Sequence, residues 1–245
     1  MVELKNFTKK YNDFSAVSDI SFTCQKGKIT GILGPNGAGK TTILKAVSGR
    51  HLATSGSVLV ENIDAADETE KIRNLTGFVT EEPELPDEYN VFEYLESVLL
   101  LHAGKKLSEF LSAGSENHVL NLLKNLSINE LFSKKIKKLS KGQKQRVNFA
   151  QALIYNPPVL ILDEPATGLD PSQIIKMRKF VISQKKFRTI ILSTHIMQEA
   201  ENLCDEILIL SSGKKAAEGT IQEIVEKTKS KNLEDAFFKM TQNKT

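Results

Sequence analysis

Gly34-Pro35-Asn36-Gly37-Ala38-Gly39-Lys40-Thr41 fits the pattern GxxxxGK[ST], and its flanks decide what the pattern means. Before it runs Ile29–Leu33, a short apolar stretch of buried-strand character. After it, Ile43, Leu44, Ala46 and Val47 recur at helical spacing until Gly49 supplies a stop. In a strand, glycine loop and helix, successive backbone N–H groups turn toward one point, and the partial positive charge of the helix start adds to them. Lys40 brings a point charge to the same place. The hydroxyl of Thr41 offers Mg²⁺ a hard oxygen ligand, with Thr42 a weaker substitute. The expectation is a cradle for the β and γ phosphates of a nucleotide. The alternative is a glycine-rich turn that binds nothing, and the flanking elements favour the cradle.

A second segment leads to the same region. Val159-Leu160-Ile161-Leu162-Asp163-Glu164 delivers two carboxylates to the C-terminal edge of a parallel strand, where open α/β sheets take their ligands, and Pro165 ends that strand. Asp163 is suited to hold Mg²⁺ directly or through water, and Glu164 to accept the proton of a water attacking the γ-phosphate. Taken alone, the motif also reads as an acidic loop after a buried strand. Further outward, Val2–Phe7 and Val17–Cys24 alternate like strands, Pro171–Ser183 reads as a helix, and Thr189–Leu192 as another buried parallel strand. Ile207–Leu210 and the Ser212-Gly213 turn predict a late strand and hairpin, followed by short helices over Ile221–Lys227 and Leu233–Met240. Between Val91 and Leu126 the apolar residues fall at helical spacing, punctuated by Gly104 and Gly114. The pattern predicts an α/β core from residues 1–80 and 157–220, a helical insertion over 81–156, and a short helical tail over 221–245.

The 245 residues suit one large domain or one with an inserted subdomain, and 40% hydrophobic with 26% charged residues is ordinary globular usage. The charge balance of 33 − 30 = +3 is too small an excess to expect nucleic acid as a partner. The longest uncharged stretch, Val147–Leu162, has 16 residues. That is short of the ~20 apolar residues of a spanning helix. Met1-Val2-Glu3-Leu4-Lys5 lacks the pattern of a secretory leader, so the cytosol is expected. Cys24 and Cys204, with no CxxC, read as buried or idle thiols. The basic run Ser133–Lys138, continued by Lys141 and Lys144, reads as a solvated face. Its alternative uses are steering the anionic nucleotide or lying against headgroups.

Leu139-Ser140-Lys141-Gly142-Gln143 resembles the LSxGQ signature of the ATP-binding-cassette ATPases, and the resemblance covers nearly the whole chain. Tyr11 looks like the family's A-loop aromatic, Gly34–Thr41 the Walker A loop, and Asp163-Glu164 the end of Walker B. Gly168-Leu169-Asp170 looks like the D-loop, and His195 the switch histidine. The resemblance implies a P-loop NTPase with a RecA-like core, an antiparallel β subdomain and an inserted α-helical subdomain, hydrolysing ATP with Mg²⁺. It also implies that the ATP is sandwiched between the P-loop of one cassette and Ser140, Gly142 and Gln143 of a second, in a homodimer or heterodimer. Tyr11 then stacks on adenine, and His195 contacts the γ-phosphate and orients Glu164. One residue departs from the family pattern: Glu81 stands where Gln is usual, and is expected to keep a sensor role near Mg²⁺. Otherwise Glu82 faces the phosphates, or neither residue does.

The same resemblance implies a separate integral membrane permease, docked near residues 81–115, with the cassette peripheral on the cytoplasmic face of the cell membrane. Gln145-Arg146-Val147, Ala150–Leu153, Glu81 and Leu233–Phe237 look similar to the two-subunit ABC-2 export type, including multidrug and gliding-motility cassettes. Two other readings remain: a non-transport cassette ATPase of translation or DNA repair, and a nucleotide-switch regulatory module, which would not need Glu164.

Overall fold

The computed structural model describes residues 1–112 and 117–242. Gly114, positions 113–115 of the expected docking segment and positions 243–245 of the tail lie outside them. The chain begins with β1 (Val2–Tyr11), β2 (Phe14–Cys24), β3 (Ile29–Leu33), α1 (Lys40–Val47), β4 (Ser55–Val60), β5 (Ile63–Asp64), α2 (Thr69–Leu75) and β6 (Thr76–Val79). A helical stretch follows: α3 (Val91–Ala103), α4 (Leu107–Ser112), α5 (His118–Asn125) and α6 (Lys141–Leu153). Then come β7 (Val159–Asp163), α7 (Pro171–Gln184), β8 (Thr189–Thr194), α8 (Met197–Leu203), β9 (Glu206–Ser211), β10 (Lys214–Gly219), α9 (Ile221–Lys227) and α10 (Leu233–Gln242).

Every residue of β3, β7 and β8 is buried, as their near-continuous apolar runs require of strands covered on both faces. Among the described residues they lie in a sheet of order β10-β9-β3-β8-β7-β6, parallel except for β10, whose exposed Lys214, Lys215 and Glu218 discourage further edge pairing. The alternation of strand side chains splits the core in two. Leu160, Leu162, Ile190 and Leu192 face the helical stretch, packing with Val91, Leu95, Val147 and Phe149. Ile161, Ile191 and Leu208 face the other way, against Ile43, Leu44 and Val47 of α1 and the inner side of a second sheet. That sheet, β2-β1-β4-β5, is antiparallel throughout. The tail helices bury Ile224, Leu233 and Ala236 against Leu33, Ile207 and Ile209.

The two sheets are stitched beside the glycine loop. Ser18 N–H donates to Gly213 O (2.8 Å) and Gly213 N–H to Ala38 O (3.2 Å). The helical periodicity from Val91 breaks where predicted: Gly104, at φ 63°, caps α3 in the left-handed conformation. β4, β5, α2, β6 and α8 are elements the sequence reading did not identify. β4 opens on Ser-Gly, and β6 is four residues with a glycine inside it. A Cβ at Gly77 would lie 2.0 Å from Ala152 O, so α6 crosses that strand at backbone contact. No helix among the described residues is long and apolar enough to cross a membrane.

Candidate active site

The glycine loop closes around its own lysine. Gly39, at φ 104°, leads into α1, and a Cβ at Gly34 would lie 2.8 Å from Ala38 Cβ and 2.9 Å from Leu210 O, so glycine alone fits there. Lys40 is buried; its ammonium donates to Gly34 O (2.8 Å) and Pro35 O (3.4 Å). It also lies 3.3 Å from Glu164 Oε1, an ion pair between two buried side chains.

The parallel register of β7 and β8 brings the rest together, because Asp163 pairs with Ser193. Ser193 Oγ donates to Asp163 Oδ1 (2.6 Å), and the Thr41 hydroxyl reaches the same oxygen at 3.3 Å. The next residue, Glu164, turns sharply at φ 46°, and its N–H donates to Ser193 O (3.2 Å) and Oγ (3.1 Å). Its Oε2 meets His195 Nδ1 at 2.9 Å and accepts the His195 N–H at 3.4 Å. Glu164 thus stands between a lysine and a histidine at the wall of a cavity of about 470 Å³. Tyr11, Phe14, Ala16, Asn36, Gly37, Ala38, Gly39, Lys40, Thr41, Thr42, Glu81 and His195 line the remainder. The Thr41 hydroxyl and the Asp163 carboxylate are the hard oxygen donors that Mg²⁺ takes, and no cluster of His, Cys, Asp or Glu among the described residues makes a competing metal site.

At the mouth, the Tyr11 hydroxyl is hydrogen-bonded to His51 Nδ1 (2.7 Å), and the Lys9 ammonium lies 5.2 Å from the ring centroid. Phe14, paired with Tyr11 across the β1–β2 hairpin, is 67% exposed beside it. Glu81 follows β6 on a loop fixed from α6. Asn148 Nδ2 donates to Thr80 O (2.9 Å) and Gln151 Nε2 to Phe78 O (3.0 Å), while Gln145 Nε2 donates to Pro165 O (3.1 Å) on the other loop, just after Glu164.

The signature residues lie elsewhere. Ser140 caps α6: its Oγ accepts the Gln143 N–H (3.3 Å), and Gln143 Oε1 accepts the Ser140 N–H (3.0 Å). Gly142 faces Gln173 of α7, whose amide would lie 2.5–2.7 Å from a Cβ there. Ser140, Gly142 and Gln143 line a second cavity, about 340 Å³, that shares no lining residue with the first. Asp170 starts α7, accepting the Gln173 N–H (3.0 Å) and the Ser172 hydroxyl (2.8 Å); these bonds hold its carboxyl below the usual aspartate range. The cavity therefore unites Tyr11, the glycine loop, Glu81, Glu164 and His195, with Asp163 behind Thr41, and leaves Ser140, Gly142, Gln143 and Asp170 outside.

Several residues here escaped the sequence reading. Ser193 lies one residue before the end of β8, and only its register opposite Asp163 reveals it. Gln145, Asn148 and Gln151 repeat every third residue on α6, a polar stripe in an otherwise core-facing helix. His51 and Phe14 carried no motif. The basic run is partly neutralised: Lys137 pairs with Glu88 (3.0 Å) and Lys144 with Asp87 (3.6 Å). Burial pushes the thiol of the enclosed Cys24 up to about 12 and raises that of the half-buried Cys204 as well, which disfavours the reactive thiolate at both.

Residues 17–167 match the ABC transporter family. An uncharacterized ABC transporter ATP-binding protein of Methanocaldococcus jannaschii, MJ1023, is 37% identical over 92% of this chain and 80% of its own. The Nod factor export ATP-binding protein I of Rhizobium meliloti is 36% identical over 89% of this chain and 64% of its own. Among solved structures, an ATP-binding subunit of an ABC transporter superposes with a TM-score of 0.88 at 28% identity, covering 98% of this chain and 99% of its own. The dimeric cassette MJ0796, in a post-hydrolysis state bound to ADP and Pi, gives a TM-score of 0.77 at 28% identity over 90% of this chain and 98% of its own. A glycine cradle, a strand-end glutamate and a histidine meeting in one cavity, with a second carboxylate behind Thr41, agree with these likenesses, and the chain belongs to the ABC transporter family as one of its ATP-binding, ATP-hydrolysing cassettes.

Proposed function

We propose that the chain is the motor of an exporter: a cassette that dimerises around Mg²⁺-ATP and drives a separate membrane permease from the cytoplasmic face of the membrane. The observation that carries the reading is the position of Glu164, held between Lys40 and His195 at the cavity wall. In this reading Lys40 and the loop N–H groups bind the β and γ phosphates. The incoming triphosphate competes with Glu164 for Lys40, which frees the carboxylate to accept the proton of the attacking water. His195 orients that carboxylate, and Tyr11 supports the base. Thr41 and Asp163 would hold Mg²⁺, with Glu81 near its waters; the ion supplies neutralisation of phosphate charge.

The second half of the site comes from the partner cassette. Within one chain the glycine loop and the signature residues line two different cavities. Ser140, Gly142 and Gln143 of a second copy would close over the triphosphate, with Asp170 beside the seam. The dimeric likeness bound to ADP and Pi supports this arrangement, and the relative named for Nod factor export supports the export branch. We assign the core to residues 1–80 and 157–220, the helical unit to 81–156 and the tail to 221–245. The permease would dock on the helical unit near 81–115, where Tyr89, Leu100 and Leu101 are exposed, Leu101 at 81%.

Glu164→Gln tests the reading. It keeps the shape and removes the base, so turnover should fall ~10²–10⁴-fold, or about 2.7–5.4 kcal/mol of barrier, while ATP still binds. Hydrolysis within tenfold of the unaltered chain would move the base elsewhere.

A further inference from the structure

The turn that carries His195 is held by a residue the hydrolytic scheme does not use. Glu199, in α8, is only 1% exposed. A carboxyl group in such a place is costly unless it has a task. Its Oε2 accepts the Thr194 hydroxyl at 2.6 Å, and the Thr194 oxygen in turn accepts the Ile196 N–H at 3.1 Å. The Glu199 N–H closes the ring by donating to Ile196 O (3.1 Å). The residues on either side of His195 are therefore tied on the core side to Glu199, Thr194 by its hydroxyl and Ile196 by its carbonyl. On the cavity side His195 meets Glu164 through both its own N–H and Nδ1. The groups facing the carboxyl are Thr194, Arg178 of α7, His195 and Glu164. Burial above all, with Glu164 adding to it, raises the Glu199 carboxyl from the ordinary range, against the pull of the first three. Oε1 is buried without a hydrogen-bond partner, which a protonated carboxyl tolerates better than an ionised one.

We propose that Glu199 is a positioning residue for hydrolysis: through the Thr194 hydroxyl it fixes the turn that sets His195 against Glu164. The inference rests on the roles proposed above for Glu164 and His195. Glu199 touches neither nucleotide nor water; it acts by holding the imidazole where Nδ1 reaches Glu164. Loss of the clamp lets the turn relax. A misplacement of about 1 Å costs on the order of 10²-fold in rate without weakening the phosphate contacts.

The test uses the full chain with Thr194→Val, Glu199→Ala, Glu199→Gln and, as a control, Glu164→Gln. Turnover, ATP affinity, melting temperature and the ¹⁵N imidazole signals of the protein's 4 histidines would be measured. Thr194→Val and Glu199→Ala should lower kcat ~10–10²-fold with ATP affinity changed less than about twofold, while Glu199→Gln, which still accepts the hydroxyl, stays within about threefold of the unaltered rate. The His195 signals should shift in the first two variants and not in the third. If Glu199→Ala fails to fold, Thr194→Val carries the test, since it exchanges a hydroxyl for a methyl at nearly constant volume. The inference is overturned if Thr194→Val turns over normally, if Glu199→Gln is as slow as Glu199→Ala, or if the losses follow ATP affinity. The control separates the two readings: a dead Glu164→Gln beside a normal Thr194→Val sinks the clamp alone, whereas an active Glu164→Gln sinks the assignment of the base.

Discussion

Two glycines of the phosphate loop should respond very differently to the same added methyl group. Gly37 and Gly39 have φ of +80° and +104°, so alanine at either incurs left-handed strain. That strain is roughly 1–2 kcal/mol. A Cβ at Gly37 meets nothing within 4 Å, whereas one at Gly39 meets Val17 Cγ2 at 2.8 Å and Ala16 O at 2.9 Å. The backbone oxygen cannot easily retreat, because Ser18 is pinned to Gly213 by a 2.8 Å hydrogen bond. Overpacking of this kind adds roughly 1–3 kcal/mol. Alanine also stiffens the unfolded chain, an offset of about 0.4–1 kcal/mol that cancels between the two variants. Gly39→Ala should therefore be less stable than Gly37→Ala by roughly 1–3 kcal/mol, or about 2–12 °C in Tm for a chain of this size. Calorimetric melting without nucleotide reads this directly, and titration with ATP should show the larger loss of affinity in the Gly39 variant. A Gly37 variant that melts at or below the Gly39 variant would refute the packing argument.

The remaining predictions concern the mouth of the cavity and the thiols. Freeing the Tyr11 ring from His51 removes one hydrogen bond of about 0.5–1.5 kcal/mol, so Tyr11→Phe and His51→Ala should each raise the KM for ATP roughly 2–13-fold with kcat unchanged. The double variant should be no worse than either single, and additive losses would contradict the coupling. Cys24, which is fully buried, should resist a disulfide reagent at pH 8 in the folded chain, the half-buried Cys204 should react slowly, and both should react once the chain is unfolded; a fast-reacting native Cys24 would contradict its burial. Because the folded Cys24 thiol sits near 12, its contribution to stability is intact below the unfolded thiol's pKa and is lost as pH rises toward 12. A Cys24→Ala chain should consequently lose less stability between pH 8 and 11, measured by denaturant midpoints, and equal losses would contradict the assignment.

What could be read from residues alone follows from how each element is buried. β3, β7 and β8 are enclosed on both faces, so they are written as apolar runs, and chemistry-bearing residues follow directly at their ends. β6 and β4 are short or open on glycine, and their strand character comes from pairing with β7 and β1 rather than from pattern. In the site, Lys40, Thr41, Asp163 and Glu164 belong to local motifs and were legible at once. Ser193 depends on cross-strand register, the Gln145–Asn148–Gln151 stripe on a helix crossing, and the Thr194–Glu199 clamp on a turn closing upon itself; spacing shows the stripe but not what it binds, and shows nothing of the other two. The separation of the signature from the glycine loop was legible only through resemblance, because nothing local in Ser140–Gln143 says which nucleotide it faces.

A composite site made by two chains is tested most directly by mixing two inactive ones. Lys40→Ala removes the cation that binds the phosphates but leaves the signature, and Gly142→Asp sets a negative charge in the signature but leaves the glycine loop. Each alone should be nearly inactive. At equal amounts and random pairing, half the dimers hold one intact site of two, so about a quarter of the unaltered ATPase rate should return. A mixture no more active than the sum of its parts, with both chains folded and pairing, would contradict the two-chain site.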